Sequence, residues 1–567
     1  MKYFNKTHII IGLAMLMAGI TGCKKYTEEY NPGNRTAETY YNTNSGFQDL
    51  AKSNYATLRS LISFPGLLNI GTDVYSTAGI NDNNGFNLYN SQLNSTQPDL
   101  DNFFRQLYAD INIANNTIYW ATQVTDGDPA IINARVGEAK ALRAWYYYLL
   151  VEMYGDVPLV TTRTTGITLT YTRTPEKDVY TQIVQDLNEA ISALPATTPD
   201  FGRVTKGFAQ HLLAKVYLTR GYKSYAAADD FQQAATLADA VINSGTYQLK
   251  PNYSDLFDPS IAGFQVNNEV IFSVQYSTNA LTNGAGNSLH QWFLWDTQNT
   301  PLVGRSTYYG KTLNAVSPDP YFFSLFNRTS DSRFAATAFD GVITQVAGKI
   351  GDKNFAVGDT LIYYPAVAFT PGQKAQRKYL VINPDEYRNS PFLAGARNYP
   401  QFKKFRDPFV TTYAENAGAR DTYVFRLSET YLIAAEAYVK LGNQGLALAR
   451  FNAIRTRAAK QGTNPATGAA YSADLLYTGT LTLDAILDER ARELAGEEFR
   501  WYELKRVYET PGNVSTNKLL TRAIKYNDEL KAASAGATTL DAKFLLRPIP
   551  QSMIDLNRGA FPQNPGY

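Results

Sequence analysis

One short stretch concentrates most of what could pass for catalytic chemistry. Glu489, Arg490, Arg492, Glu493, Glu497, Glu498 and Arg500 lie on one helical segment. Two carboxylates at such spacing could act as the acid and base of glycoside hydrolysis. Opposite charges three or four residues apart also pair along a helix face, at about 0.2–0.5 kcal/mol each. The second arrangement needs no substrate and is the one expected, so no catalytic residue is assigned. Nucleophiles and metal ligands are scarce. The chain has one cysteine, Cys23, and three histidines, His8, His211 and His290. A lone thiol makes no disulfide within the chain, and Cys/His zinc sites cannot be assembled. HExxH, GxxxxGK[ST] and GxSxG are all absent from the sequence. No metal and no cofactor are expected.

A second kind of chemistry needs only surfaces. The chain holds 40 tyrosines among 567 residues, more than a core alone requires. Sugar rings lay their C–H faces on Trp or Tyr and pair their hydroxyls with Asp, Asn or Arg, and aromatics supply contact area with few rotors to freeze. Two loop-rich segments offer this combination. The first, 73–89, carries Asp73, Tyr75, Asn81 and Asn83. The second, 292–309, carries Trp292, Trp295, Arg305, Tyr308 and Tyr309. Trp295 and Tyr75 are the expected platforms, with Asp73 and Arg305 as hydroxyl partners. Both tryptophans could equally be core residues under a loop. Asn81 to Asn84 could be a plain turn.

Charge excludes another class. Lys+Arg is 53 and Asp+Glu is 51. Both excess cations, Lys2 and Lys6, lie in the first 22 residues, so the rest is neutral. Nucleic-acid binding driven by phosphate charge is not expected. The start, with its two lysines and the apolar run Ile9 to Ile20, is too short to span a membrane and reads as a secretory signal peptide. It ends Ile20-Thr21-Gly22-Cys23, which resembles a bacterial lipobox. That resemblance implies cleavage before Cys23, acylation of Cys23 and a lasting membrane anchor. Residues 23–44 then form a tether.

The elements that must position these groups are mostly helices. Leu100, Phe103, Leu107, Ile111, Ala114 and Ile118 follow helical spacing, as do Val179, Ile183, Leu187 and Ile191. Thr174-Pro175-Glu176 reads as an N-cap, a Pro at the first helical position and an acid at the positive dipole end. Ala435, Tyr438, Gly442, Ala447, Phe451 and Ile454 match the spacing of a tetratricopeptide repeat, and Ala214, Tyr217 and Gly221 repeat its first half. The expected fold is mostly α: a tetratricopeptide-like solenoid of helix pairs with a loop-rich, partly β, ligand-binding insertion. Its parts are helical at 45–250, loop-rich at 251–420 with a strand at Val270–Val274, and helical again at 421–567.

Five segments resemble the SusD/RagB family of outer-membrane nutrient-binding lipoproteins of Bacteroidota. They are Tyr154-Gly155-Asp156-Val157-Pro158, Thr172-Arg173-Thr174-Pro175, Arg426-Leu427-Ser428-Glu429-Thr430-Tyr431, the run from Ile486 through Glu489-Arg490 to Trp501, and the close Gln563-Asn564-Pro565-Gly566-Tyr567. The resemblance implies a lipid-anchored protein at the cell surface. It would bind an oligosaccharide or polysaccharide and pass it to a SusC-like TonB-dependent transporter, without catalysis. A peptide ligand remains the alternative within the family, and a surface glycoside hydrolase the alternative outside it.

Overall fold

The computed structural model describes residues 36–78, 84–313, 315–388 and 397–567. The leader, Cys23, Asn81 and Asn83 lie outside the described residues.

The first helices are α1 (Asn44–Ala56), α2 (Pro98–Ala121), α3 (Pro129–Tyr154), α4 (Glu176–Ala193), α5 (Lys206–Arg220) and α6 (Asp230–Ile242). In α2 the expected stripe is buried from Leu100 to Ala114, with Ile118 half-buried, and Pro98 opens the helix. The Asp128 carboxylate caps α3 by accepting from Ala130 N–H, and Gly155, at φ +71°, ends it. From Gly137 onward α3 is buried on nearly every side, and its buried charges are paired, Arg143 with Asp186 and Glu152 with Lys505. The start of α4 differs from expectation. Thr174 pairs with Val157, Pro175 takes the capping position, and Glu176 N–H donates to the Asp156 carboxylate at 2.8 Å. The cap comes from across the chain because Thr174 is held in an extended bridge.

Helices α7 (Leu427–Lys440) and α8 (Gln444–Ala458) form the second repeat. Each helix from α2 to α8 packs on the next, and α6 meets α7 across the whole insertion. Ala214, Ala234, Ala235, Ala238, Ala434 and Ala437 make that joint, where small side chains allow close approach of the helices. Tyr438 adds a hydrogen bond to Asp239 at 2.6 Å. Helices α9 (Leu483–Glu493), α10 (Arg500–Arg506), α11 (Lys518–Tyr526) and α12 (Gln551–Leu556) complete the chain.

The insertion carries small sheets. Strand β1 (Tyr75–Thr77) pairs antiparallel with β3 (Val316–Pro318). The expected strand is β2 (Val270–Val274), which pairs antiparallel with β9 (Thr422–Arg426) and so closes the insertion where it opened. Between them lie β4 (Gly341–Ile343), the hairpin of β5 (Gly348–Ile350) and β6 (Lys353–Phe355), β7 (Thr360–Tyr363) and β8 (Leu380–Val381). Aromatics of the insertion, such as Phe293, Phe322 and Phe402, belong to the same core as α2 and α3.

Candidate functional site

The charged run at 489–500 is interior. Glu489 and Glu493 are fully buried, and their partners come mainly from other elements. Arg333 donates to Glu489 at 2.6 Å and to Glu493 at 3.2 Å. Arg426 donates to Glu269 and Glu497, both at 2.6 Å. Only Arg492–Glu489 follows the three-residue spacing of a helix-face pair. The expected helix-face ladder is thus a buried network joining the insertion, α7, α8 and α9. Burial raises the Glu493 carboxyl, but Arg457, Arg426 and Arg333 overcome it and hold it at about 2. A carboxyl held there stays ionised and is no proton donor at neutral pH. His211 is buried against Glu429 and Thr430, and burial lowers its pKa. His290 is half-buried, with Nδ1 3.0 Å from the Asn287 carbonyl. Among the described residues no group of three His, Cys, Asp or Glu is placed to hold a metal ion.

Several expected sugar contacts are corrected by burial. Asp73 is fully enclosed and ion-paired with Arg500 at 2.8 Å and Arg522 at 2.9 Å. Those guanidinium groups outweigh burial and hold its carboxyl at about 2. Tyr75 is 2% exposed. Its ring packs on Phe293 and Phe322, and its hydroxyl accepts from Gly496 N–H at 2.9 Å. Trp295 is 3% exposed, and its indole N–H donates to the Tyr399 carbonyl at 2.9 Å. Tyr309 is buried too, with its hydroxyl accepting from Ile343 N–H at 2.6 Å. These four are interior residues of the insertion and its seam with the helices. Trp292 is nearly buried, bonded to Ser288 Oγ at 3.1 Å. It edges a narrow pocket beside Tyr276, Leu289 and Phe499.

Tyr308 and Arg305 are where a surface contact requires them. Tyr308 is 38% exposed. Phe339 and Tyr309 brace its ring at 5.4 and 5.0 Å, and the Arg406 guanidinium lies 4.6 Å from its centroid. Such a contact fixes both groups. Arg305 is exposed. Tyr413 joins it: burial raises the phenol, Asp296 raises it further, and Arg305 opposes this. Lys311 bonds Asn416 at 3.2 Å, and Phe409 is 43% exposed nearby in sequence. Segments 296–311 and 406–416 thus meet through three separate pairs. Sequence reasoning missed Arg406, Phe409 and Tyr413; the run Arg406-Asp407-Pro408-Phe409 was the available signal.

Residues 268–567 match the family model described as the SusD family. Residues 67–218 match the model described as starch-binding associating with outer membrane. The chain belongs to the SusD family. It is 26% identical over the full length of both chains to SusD-like protein P2 of Formosa agariphila. A solved laminarin binding SusD-like protein superposes with a TM-score of 0.65 at 24% identity, covering 93% of this chain and all of that one. Surface glycan-binding protein A from Bacteroides thetaiotaomicron, in complex with laminarihexaose, gives 0.63 at 19% identity, covering 92% and 99%. Among the described residues no helix is long and apolar enough to cross a membrane.

Proposed function

We propose that the protein is a non-catalytic, cell-surface glycan-capture lipoprotein. Cys23 carries the lipid, and an oligosaccharide lies across the surface made by Tyr308, Arg305, Arg406 and Tyr413. The captured chain passes to a SusC-like TonB-dependent transporter. The observation that carries this reading is the exposed Tyr308 ring, braced by Phe339 and Tyr309 with the Arg406 guanidinium against it. A sugar can stack on it without any rotor being newly frozen. The laminarin-binding and laminarihexaose-bound relatives support a glucan as the first ligand to try. The saturated carboxylates of α9 support binding without hydrolysis.

The test is calorimetric titration of the mature protein with laminarin and laminari-oligosaccharides, with chromatography of the ligand afterwards. Bound, chemically intact ligand is expected. Products appearing in proportion to protein would favour a hydrolase. A screen in which only peptides bind would favour the peptide-binding alternative.

A further inference from the structure

Residues 157–174 leave the helical stack and return to it at one point. Val157 and Thr174 exchange backbone hydrogen bonds at 3.2 and 3.0 Å. The returning arm, Thr168 to Thr174, alternates. Leu169, Tyr171 and Arg173 are half-buried, while Thr168, Thr170 and Thr172 are exposed. Leu169 and Tyr171, with Thr168 at its end, line an apolar groove along α2.

The backbone alternates in the same way. Arg558 N–H donates to the Leu169 carbonyl at 2.6 Å. The Asn557 side chain accepts from Tyr171 N–H at 2.6 Å and donates to the Tyr171 carbonyl at 3.0 Å. The N–H and C=O groups of Thr168, Thr170 and Thr172 have no partner among the described residues. In an extended chain successive peptide groups point to opposite sides. One edge of this arm is therefore covered by Asn557 and Arg558; the other, which pairs Thr174 with Val157, runs on unpaired from Thr172 to Thr168, facing the outgoing arm across a gap. The open side borders a hollow of about 1120 Å³, shared with the outgoing arm and Arg163.

Natural edges are usually blunted by lysine, proline, bulges or a cover. From Thr165 to Thr174 the sequence has neither lysine nor proline. Threonine also favours the extended state. The charge is one-sided: between Asp156 and Glu176 there are two arginines and no acid. Arg163 stacks on Tyr119 at 3.9 Å and has no ion-pair partner among the described residues. The neighbouring acids are engaged: Asp156 caps α4, Asp101 pairs with Arg105, and Asp555 accepts from Gln551.

We propose that this edge docks an extended, acidic segment of a partner polypeptide. The segment adds alongside Thr168–Thr172 by main-chain hydrogen bonds and sets a carboxylate against Arg163. Open donors and acceptors recur every second residue, at about 6.6 Å, which is the repeat of another extended backbone.

The experiment uses the full mature chain and a fluorescent peptide of alternating valine and glutamate, followed by anisotropy at low salt. Saturable binding is expected. Thr170→Pro, which removes one open N–H at an extended position, should weaken it at least tenfold, and so should Arg163→Glu. N-methylation of the peptide's alternate amides should do the same with no change to the protein. Thr170→Val should bind as the parent does. No saturable binding of the unmodified peptide would overturn the proposal. So would equal binding by Thr170→Pro and of the methylated peptide. Self-association of the protein that Thr170→Pro abolishes, without peptide binding, would assign the edge to a second copy and overturn it as well. Laminarin titration of the same variants separates this edge from the Tyr308 surface.

Discussion

Arg500 grips Asp73 in two-pronged fashion, Nε to Oδ1 at 2.9 Å and Nη2 to Oδ2 at 2.8 Å, across 427 positions of sequence. Arg522 donates to the same carboxylate at 2.9 Å. One acid from the start of the fold thus ties together two helices near its end. Removing it leaves two guanidinium groups facing a void.

Asp73→Ala should therefore destabilise the protein by about 3–5 kcal/mol, the usual cost of stranding buried charge. Denaturant unfolding measures this. The pH dependence has a definite sign. The folded carboxyl sits at about 2, below its unfolded value, so its contribution is complete above pH ~4 and fades as pH falls through about 2. Asp73→Asn should flatten that part of the acid-unfolding curve.

Asp110 should behave in the opposite sense. It is buried on α2; Gln106 donates to Oδ1 at 2.8 Å, while Oδ2 has no hydrogen-bond partner among the described residues. Burial pushes its carboxyl up to about 7. Stability should be highest below the unfolded value and fall as pH rises towards 7. Asp110→Asn should match the parent at pH 4–5 and exceed it at pH 8, by on the order of 3 kcal/mol. Melting curves across that range check this.

Trp295→Ala and Tyr308→Ala should separate cleanly. The first empties a core position and should cost about 3–5 kcal/mol of stability. The second should leave the melting temperature nearly unchanged and weaken glycan binding by about 1–3 kcal/mol. Paired calorimetry and melting of the two variants decide whether Tyr308 belongs to a binding surface. Full-strength binding by Tyr308→Ala would place the ligand elsewhere.

Cys23→Ala should move the protein from the membrane fraction to the soluble one, with loss of fatty-acid labelling. Persistent membrane association would place the anchor elsewhere.

Much of the scaffold was legible because it rests on local periodicity. The stripe from Leu100 to Ala114 and the repeat from Ala435 to Ile454 each need only one helix pair to make sense. The strand Val270–Val274 showed as a β-branched run. Asp73 carries no such mark: its partners lie hundreds of residues away, and beside Tyr75 it resembles a binding loop. Glu489 and Glu493 are ion-paired, as their spacing suggests, but their main partners, Arg333, Arg426 and Arg457, come from elsewhere in the chain and leave no local mark. Tyr308 and Tyr309 are neighbours with opposite fates. In an irregular segment no period tells which one turns inward, and Arg406 is brought to Tyr308 only by the folded insertion.

The pairing of β2 with β9 gives the insertion a single doorway. Val270 stands opposite Arg426, and Val274 opposite Thr422. A chain that leaves and re-enters through one antiparallel pair can change length without moving its threshold, and doubling such a loop adds only about 0.6 kcal/mol of closure entropy. The stretch between is therefore an exchangeable cassette, and a new specificity can arrive by recombination at two neighbouring borders. Any replacement has to bring its side of the seam with it: a strand to lie beside Tyr75, as β3 does, rings to pack on Tyr75 as Phe293 and Phe322 do, and cations where Arg333 meets Glu489 and Glu493 and Lys404 meets Glu497. A graft that keeps these should fold on the same helical stack; one that drops Arg333 would leave two carboxylates buried with less compensation.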